Sequence, residues 1–465
     1  MGAITGIRSY PVIRMSELAP LPASEAWRPF RPGIDGDWNV AQAAHLYRRG
    51  GFGAPLEQLQ QAVDQSPDQA VSGLIEAVEP DTYRSTMATL AHAAAASGDT
   101  RSLAAWWLRR IISSPAQAQE RLVLFWHGHF ATSAEKVTDV SLMLQQNELF
   151  RTHAMSAFEP FVQAVSQDPA MLLWLDAAAS RKAHPNENYA RELMELFCLG
   201  EGNYTEQDIR EAARCFTGWE VRRKQFRFNR FQHDSGSKTV LGVTGAFGGE
   251  DVVQVVLQQS AAAEFLICKL VRYYLRDDIA DVVNLCQPLI RQYRDNGLVL
   301  KPILKQILNS RLFHSPWCVG YRVRSPIDLA AGLLRCFAGS ANTVQLSDQT
   351  KEAGQGLFFP PGVQGWDEGR AWINTSTLLG RSNLIAEMLT DSATRFSGQS
   401  PADYVRDKFS DDAETIVRQI QDLLFSRPIP GSTAAQAVEL LHHRTDQSIR
   451  EALQLLCSIP EFQLC

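Results

Sequence analysis

The stretch His184-Pro185-Asn186-Glu187-Asn188-Tyr189-Ala190-Arg191-Glu192-Leu193-Met194-Glu195-Leu196 decides which fold and which site we expect of this chain. At about 100° per residue, its polar side chains fall on one face about 140° wide, opposite an apolar face. The polar face carries Glu187, Asn188, Arg191, Glu192 and Glu195, and the apolar face carries Tyr189, Ala190, Leu193, Met194, Leu196 and Phe197. The pattern predicts an amphipathic helix that packs on other helices.

Helical periodicity continues on both sides of this stretch, with apolar residues recurring at intervals of three and four. The segments are 38–49, 55–77, 101–113, 115–127, 140–178, 186–199, 205–217, 250–275, 279–296, 300–311, 325–337, 375–390 and 411–459. Ser325-Pro326 places a capping side chain before a first-turn proline, and Gly200 with Gly202 ends the central helix. The sequence therefore predicts an all-α fold, a multi-helix orthogonal array.

Three regions depart from the helical period. Residues 225–231 alternate aromatic and polar and precede Thr239-Val240-Leu241, which predicts one β-hairpin near 225–243 within an insertion at 219–247. Residues 338–374, rich in Gly, Pro and Gln, predict an irregular connection. Residues 1–36 lack a period and predict an extended arm ahead of a single large helical domain at 37–465.

Composition narrows the class of protein. The 465 residues are 45% hydrophobic and 21% charged, as in soluble globular proteins. The net charge of −6, with no block of like charge, disfavours nucleic-acid binding. Eight cysteines without CxxC pairs predict buried, reduced thiols. The sequence shows no membrane-length apolar run and no export signal over 1–32, so we expect no membrane span and a cytoplasmic location.

The first candidate for chemistry is Phe125-Trp126-His127-Gly128-His129-Phe130. In a helix the two imidazoles would point about 200° apart, whereas in a turn they would share one side. Gly128 favours the turn, and two histidines on one side form half of a metal site. With Glu192 as a third ligand, they predict a divalent metal ion as cofactor. The alternative, which is slightly favoured, is two partly buried histidines that form hydrogen bonds with their neighbours.

The second candidate is the polar face of 187–196. It has two interpretations: a solvated face with salt bridges worth a few tenths of a kcal/mol each, or a covered network or site. Because the face contains no Lys, Gln or Ser, we favour the covered one. The predicted catalytic residues are His127, His129, Glu187, Arg191, Glu192 and Glu195.

Two further segments supply predicted ligand-binding residues. His233, Asp234 and Lys238 surround a predicted turn, where Asp is an ordinary turn former. Trp366, Arg370 and Trp372 follow Phe359-Pro360-Pro361-Gly362. The two tryptophans form either an aromatic platform for a flat ligand or a rigid plug on the helical core, and the plug is favoured.

These segments together resemble the bacterial domain of unknown function 1800 family. The matching pieces are His45-Leu46-Tyr47-Arg48-Arg49-Gly50-Gly51-Phe52-Gly53, Phe125 to Phe130, Asn186 to Leu196, Glu211 to Arg214, Thr217-Gly218-Trp219, His233-Asp234, Lys238, Arg324-Ser325-Pro326 and Pro360 to Asn374. The resemblance implies no catalytic assignment. It implies that relatives are often exported, and that a protein of unknown-function family 1501 is a partner.

Two kinds of function follow from these observations. In the first, the predicted catalytic residues converge with His233, Asp234 and Lys238 on one polar pocket of a hydrolase-like or metal-dependent enzyme. In the second, the same groups form a structural network in a non-catalytic scaffold or partner-binding protein. Arg191 would then be paired bidentately to Glu187 or Glu195, and the histidines would be capped by backbone groups. The chain shows no P-loop, HExxH or GxSxG motif, which disfavours nucleotide-binding, zinc-protease and serine-hydrolase functions.

Overall fold

The structure, a computed structural model, describes residues 21–465, and this range contains 23 α-helices. The helices of the first half are α1 Ala23–Ala26, α2 Val40–Gly50, α3 Leu56–Val63, α4 Pro67–Glu76, α5 Asp81–Ser97, α6 Thr100–Ser113, α7 Gln117–His129, α8 Val140–His153, α9 Phe158–Ser166, α10 Pro169–Trp174, α11 Asn188–Glu192 and α12 Glu206–Cys215. A π-helix, Leu193–Cys198, follows α11 directly. The predicted all-α fold is confirmed.

The second half continues in the same way. Its helices are α13 Gly249–Leu257, α14 Ser260–Tyr274, α15 Val282–Asp295, α16 Leu300–Leu308, α17 Pro326–Cys336, α18 Thr343–Glu352, α19 Thr375–Thr390, α20 Pro401–Lys408, α21 Ala413–Leu424, α22 Gly431–His442 and α23 Asp446–Ser458, with 3-10 turns at Ala177–Ala179, Gly369–Trp372 and Pro460–Gln463. None of the helices within residues 21–465 combines the length and the hydropathy needed to cross a bilayer.

Helices α7 and α17 lie at the centre of the molecule. In α17 every residue except Arg335 is buried, and α7 exposes only Gln119 and Gly128 in part. Helices that are apolar on all sides belong to the interior of a large core. The side chains of these two helices therefore determine how the surrounding helices pack.

Two buried arginines and one half-buried arginine bond to the C-terminal ends of helices. Each donates to carbonyl groups of the last turn, which lack partners within their own helix and carry partial negative charge. These pairs are Arg48 with Leu423 of α21 at 2.9 Å, Arg49 with Tyr274 of α14 at 3.2 Å, and Arg335 with Ile112 of α6 at 2.8 Å. The Arg48-Arg49 pair of the sequence thus connects three helices that are distant in the chain.

The β structure consists of two hairpins and one short pair instead of one hairpin. Its strands are β1 Trp219–Arg222, β2 Gln225–Phe228, β3 Lys238–Val240, β4 Val243–Gly245, β5 Gly339–Ser340 and β6 Arg395–Phe396. They pair antiparallel as β1 with β2, β3 with β4 and β5 with β6. Arg223 and Lys224 adopt φ of 53° and 64°, a two-residue turn that closes β1 on β2. Strand β2 is therefore already paired and does not meet residues 239–241.

Two segments outside the predicted helices are more ordered than expected. Residues 338–374 are only partly irregular, because Asn342 caps α18 and Leu346 is buried. In the predicted arm, residues 23–26 form α1, and buried Trp27 donates from Nε1 to the carbonyl of Leu285 at 2.6 Å. This part of the arm packs on α15 since an indole gains more from burial than from solvent. Residues 1–20 lie outside the described range.

Candidate functional site

The two predicted metal-binding histidines both belong to helix α7, so the predicted turn at Gly128 is wrong. The apolar period of α7 carries the helix through Gly128, and this glycine leaves room for the Trp366 ring. His129 Nε2 donates to the carbonyl of Phe197 at 3.0 Å, while His127 makes no hydrogen bond within residues 21–465. The helix thus directs the two imidazoles to different surroundings.

His127 is enclosed by aromatic rings. The centroids of Trp107, Phe358 and Trp366 lie 5.2, 5.4 and 5.3 Å from its own. Burial lowers its pKa to about 3, so the imidazole is neutral at physiological pH. The position of His127 brings the segments 125–130 and 359–374 together, because Trp366 packs directly on the imidazole. The contact fits the plug interpretation of the Trp366 segment.

Replacing His127 by Leu tests whether the imidazole is needed for the fold. Leu has a similar volume, and the variant removes a buried polar group without a partner in the described chain. We expect a free energy of unfolding equal to the wild type or up to about 1 kcal/mol higher, measured by urea denaturation. The control, His129→Leu, removes the bond to Phe197 and is expected to cost about 1 kcal/mol. A loss of more than about 2 kcal/mol in His127→Leu would contradict this account.

The metal ligands predicted from the sequence are not found as a cluster in the described chain. In the range 21–465, no group of three or more His, Cys, Asp or Glu side chains is placed to hold a metal ion. His127 and His129 are surrounded by aromatic rings, and Glu192 lies on a different helix, α11. Spacing along the sequence could not reveal this, because it depends on which way α7 is turned against the core.

Arg191, the one basic residue of the 187–196 face, is paired with two carboxylates. The guanidinium of Arg191 binds both carboxylate oxygens of Glu206 at 2.8 Å, and Glu187 lies 3.4 Å away. The side chains of Arg191, Glu187 and Glu206 remain 35%, 41% and 61% exposed. The face is therefore not covered as predicted. It matches the salt-bridge interpretation, with Glu206 as a partner that the helix period could not indicate.

Glu192 and Glu195 differ from the rest of this face. Glu192 is half-buried, and burial together with the charge of Glu195 raises its pKa. Glu195 accepts a hydrogen bond from the Tyr204 hydroxyl at 2.9 Å. The π-helix begins between these two residues, and its wider turn, with Leu199 N bonded to Met194 O at 2.8 Å, moves Glu195 away from the predicted angular position.

The predicted loop residues His233, Asp234 and Lys238 form hydrogen bonds that connect the segments around the two β-hairpins. His233 Nδ1 donates to the Thr217 carbonyl at 2.9 Å, and Lys238 donates to the Phe247 carbonyl at 2.8 Å. Asp234 accepts from Arg214 at 2.7 Å, and this bond lowers the pKa of its carboxyl group. These bonds connect neighbouring loops and do not bring the three side chains onto the 187–196 face.

The predicted ligand-binding residues Trp366, Arg370 and Trp372 do not share one environment. Trp372 is buried beside Gly354, and its carbonyl accepts a hydrogen bond from the Thr377 hydroxyl at 2.8 Å. Arg370 is exposed and lines a cavity of about 730 Å³ together with Arg276 and Asp277. The two tryptophans therefore act as packing residues, and only Arg370 faces a cavity.

Sequence reasoning missed a buried ionic network between α6, α7 and α8. Glu120 is fully buried and accepts from Arg110 at 3.2 Å and from Arg151 at 2.6 and 3.0 Å. Arg110 also binds both oxygens of Glu79 at 2.7 and 2.8 Å. A usable signal was present, because Arg110 interrupts the apolar run Leu103 to Ile112. Its partners Glu79 and Glu120 come from two other segments and could not be paired by spacing.

Comparison with known proteins agrees with the family resemblance. Residues 45–464 match the model of a family described as a protein of unknown function, DUF1800. The match covers nearly the whole described chain and confirms the prediction made from the motifs. No curated protein and no solved structure shows significant similarity to the chain.

Proposed function

We propose that this chain, which belongs to the DUF1800 family of proteins of unknown function, is a non-catalytic scaffold that binds another protein. The observation that supports the proposal is the bidentate pairing of Arg191 with Glu206, and the enclosure of the His127 imidazole by aromatic rings agrees with it. A guanidinium held in this way is unavailable for binding a substrate anion. The polar groups expected in a pocket are engaged in structural contacts.

The surface best suited to a partner is the first β-hairpin and the residues that follow it. We name it the hairpin surface, which consists of Arg222, Arg223, Arg227, Phe228, Arg230 and Phe231. Residues 222–231 carry five basic and no acidic side chains. Because the net charge of the whole chain is −6, the residues outside 222–231 carry a net charge of −11. Phe228 and Phe231 are 49% and 71% exposed. Arginine and aromatic residues are enriched at the energetic centres of protein interfaces.

The hairpin is held in place for such a role. Lys224 at its turn forms an ion pair with Asp139 at 2.7 Å, and Arg181 pairs with Glu220 of β1 at 3.3 Å. The strand register also places Glu220 opposite Arg227, an attractive cross-strand pair. A surface that is ordered before binding loses less conformational entropy on association. An acidic protein is the partner this charge favours, and we propose a protein of unknown-function family 1501.

The proposal predicts complex formation between the two purified proteins, with dependence on the hairpin charges. Arg222→Glu/Arg230→Glu is expected to weaken binding at least about tenfold in isothermal titration calorimetry, because two attractive contacts become repulsive. The charge-matched control is Arg210→Glu/Arg418→Glu, which changes exposed arginines of α12 and α21 and is expected to bind like the wild type. Absence of binding by the wild type, or equal loss in the control, would contradict the proposal, as would a preference for single-stranded nucleic acid.

A second candidate function, acid–base catalysis at Glu192, is favoured by the raised pKa of this carboxyl group and by the adjacent π-helix, a feature common at functional sites. Hydrolysis of nitrophenyl esters or glycosides that is lost in Glu192→Gln would support this candidate and contradict a non-catalytic scaffold. Metal analysis of the purified protein adds an independent measurement. A stoichiometric metal ion would likewise contradict the proposal.

A further inference from the structure

A cleft of about 770 Å³ opens over the buried ionic network, on the side of α5 and α8. Its volume is within the range of about 300–1,000 Å³ that is usual for small-molecule sites. The cleft is separate from the hairpin surface, and none of the residues predicted to form a site lines it. Its chemistry is therefore independent of the partner proposed above.

The polar floor of the cleft contains Arg110 and Arg151, whose side chains are more than nine-tenths buried. Glu120 holds both guanidinium groups from the interior side. Arg151 uses Nε and Nη2 for Glu120 and Nη2 also for Asn147 at 2.8 Å. Its Nη1 makes no hydrogen bond within residues 21–465. A buried guanidinium thus keeps one donor without a hydrogen bond, enclosed beneath Glu148.

The Glu148 carboxylate lies beside this donor but does not accept a hydrogen bond from it. Its Oε1 is 2.9 Å from Arg151 Nη1, which meets the distance of an ion pair, but the angles do not make a hydrogen bond. Geometry decides the strength of such contacts, so this pair is electrostatic and weak. The Glu148 side chain is 47% exposed and can move into solvent without breaking another contact found in the described chain. A better aligned carboxylate could replace it at Nη1.

One part of the wall is apolar and is formed by Ile75, Val78, Ala88, Ala91, Leu144 and Met155, whereas the rest of the lining is polar and includes Glu76, Arg84, His92 and Lys301. Val78 is 76% exposed and extends the apolar part. Such a wall favours the hydrocarbon part of a ligand by roughly 25 cal/mol per Å² of apolar surface removed from water.

Charge balance at the floor of the cleft favours a singly charged ligand. Arg110 and Arg151 are already matched by Glu79 and Glu120, and Glu148 supplies one more negative charge. Exchange of Glu148 for a ligand carboxylate leaves the net charge at the floor unchanged. A dianionic phosphate would instead add a charge beside two buried carboxylates, which is unfavourable at low dielectric.

We propose that this cleft binds a monocarboxylate with an aliphatic body, whose carboxylate takes the place of Glu148 at Arg151 while its chain lies against Leu144 and Met155. The ligand class follows from the unused donor, the weak Glu148 contact and the apolar wall. The inference goes beyond the scaffold function and is tested independently of it.

The test is isothermal titration calorimetry with octanoate as the probe and octanamide and octyl phosphate as comparisons. We expect octanoate to bind the wild type at least about tenfold more tightly than either comparison, since only octanoate combines one negative charge with the chain. Glu148→Gln, at an exposed position, is expected to bind octanoate about three- to tenfold more tightly, because it removes the competing carboxylate.

Leu144→Glu is the second variant and places a carboxylate on the half-buried apolar wall. We expect it to weaken octanoate binding at least about tenfold, through charge repulsion and lost apolar contact. Octanamide or octyl phosphate binding as well as octanoate, an unchanged affinity in Glu148→Gln, or no octanoate binding by the wild type would each overturn the proposal. None of these outcomes would change the result expected for partner binding at the hairpin surface.

Discussion

Asp328→Ala is expected to lower the free energy of unfolding by about 4 kcal/mol, measured by urea denaturation at pH 7. Asp328 is buried in α17 and supplies the carboxylate partner of buried Arg121. It also closes the capping box of this helix, since its Oδ2 accepts from Ser325 N at 3.0 Å. The substitution therefore leaves a buried guanidinium without its counter-charge and removes a cap in the centre of the fold.

Asp328→Asn separates these two contributions. It retains an oxygen for the Ser325 N–H group but loses the charge, so we expect a loss of about 3 kcal/mol, with the remaining difference of about 1 kcal/mol due to the cap. A loss below about 1 kcal/mol in Asp328→Ala would show that Arg121 is satisfied by backbone carbonyls alone.

The same residue predicts a dependence of stability on pH. Burial works to raise the pKa of Asp328, but Arg121 and the Ser325 N–H outweigh it and lower the pKa from 3.8 to about 2. A lowered pKa adds stability that is present above pH 4 and is lost as pH falls through 2. The stability difference between the wild type and Asp328→Asn is expected to shrink by about 2 kcal/mol over that interval. A difference independent of pH would contradict this assignment.

Glu120→Gln is expected to cost about 3 kcal/mol or more in the free energy of unfolding, because the fully buried carboxylate neutralises two buried arginines. The charges and hydrogen bonds of Arg151 and Arg110 outweigh its burial and hold the pKa of Glu120 below its usual value. Gln keeps the shape and one acceptor, so the loss measures charge more than packing. Urea denaturation at pH 7 gives the value.

Glu148→Gln is the matched control for this experiment. It removes a carboxylate from the same arginine, but at a half-exposed position where solvent screens the contact, and it is expected to change stability by less than about 1 kcal/mol. Equal effects of the two substitutions would mean that burial of the network does not determine its energy.

Local patterns predicted much of the secondary structure correctly. The Ser325 cap, the glycines after the central helix and the apolar periods depend on neighbours within four residues, which the sequence displays directly. The hairpin region was only partly predictable. Alternation identified β2, but the two-residue turn at Arg223 and Lys224 requires left-handed backbone angles at residues that rarely adopt them.

The site residues were predicted less well, because their roles depend on which faces meet. His127 and His129 are separated by one residue in the sequence, yet α7 directs them into two apolar environments. Arg191 was expected to pair within its own helix, whereas its main partner Glu206 comes from the next helix. Pairings of this kind depend on helix orientation, which no short spacing encodes.

The sequence by itself determined the helical class, the helix ends and the membership of a family, since each is written in local periodicity, caps and motif strings. Only the tertiary structure decided which charges are buried and which are solvated. The charged 187–196 stretch is partly open to solvent, whereas Glu120, inside an apolar helix, carries the most enclosed charge of the network. The physical reason is that desolvation and Coulomb energy depend on distances between segments far apart in the chain.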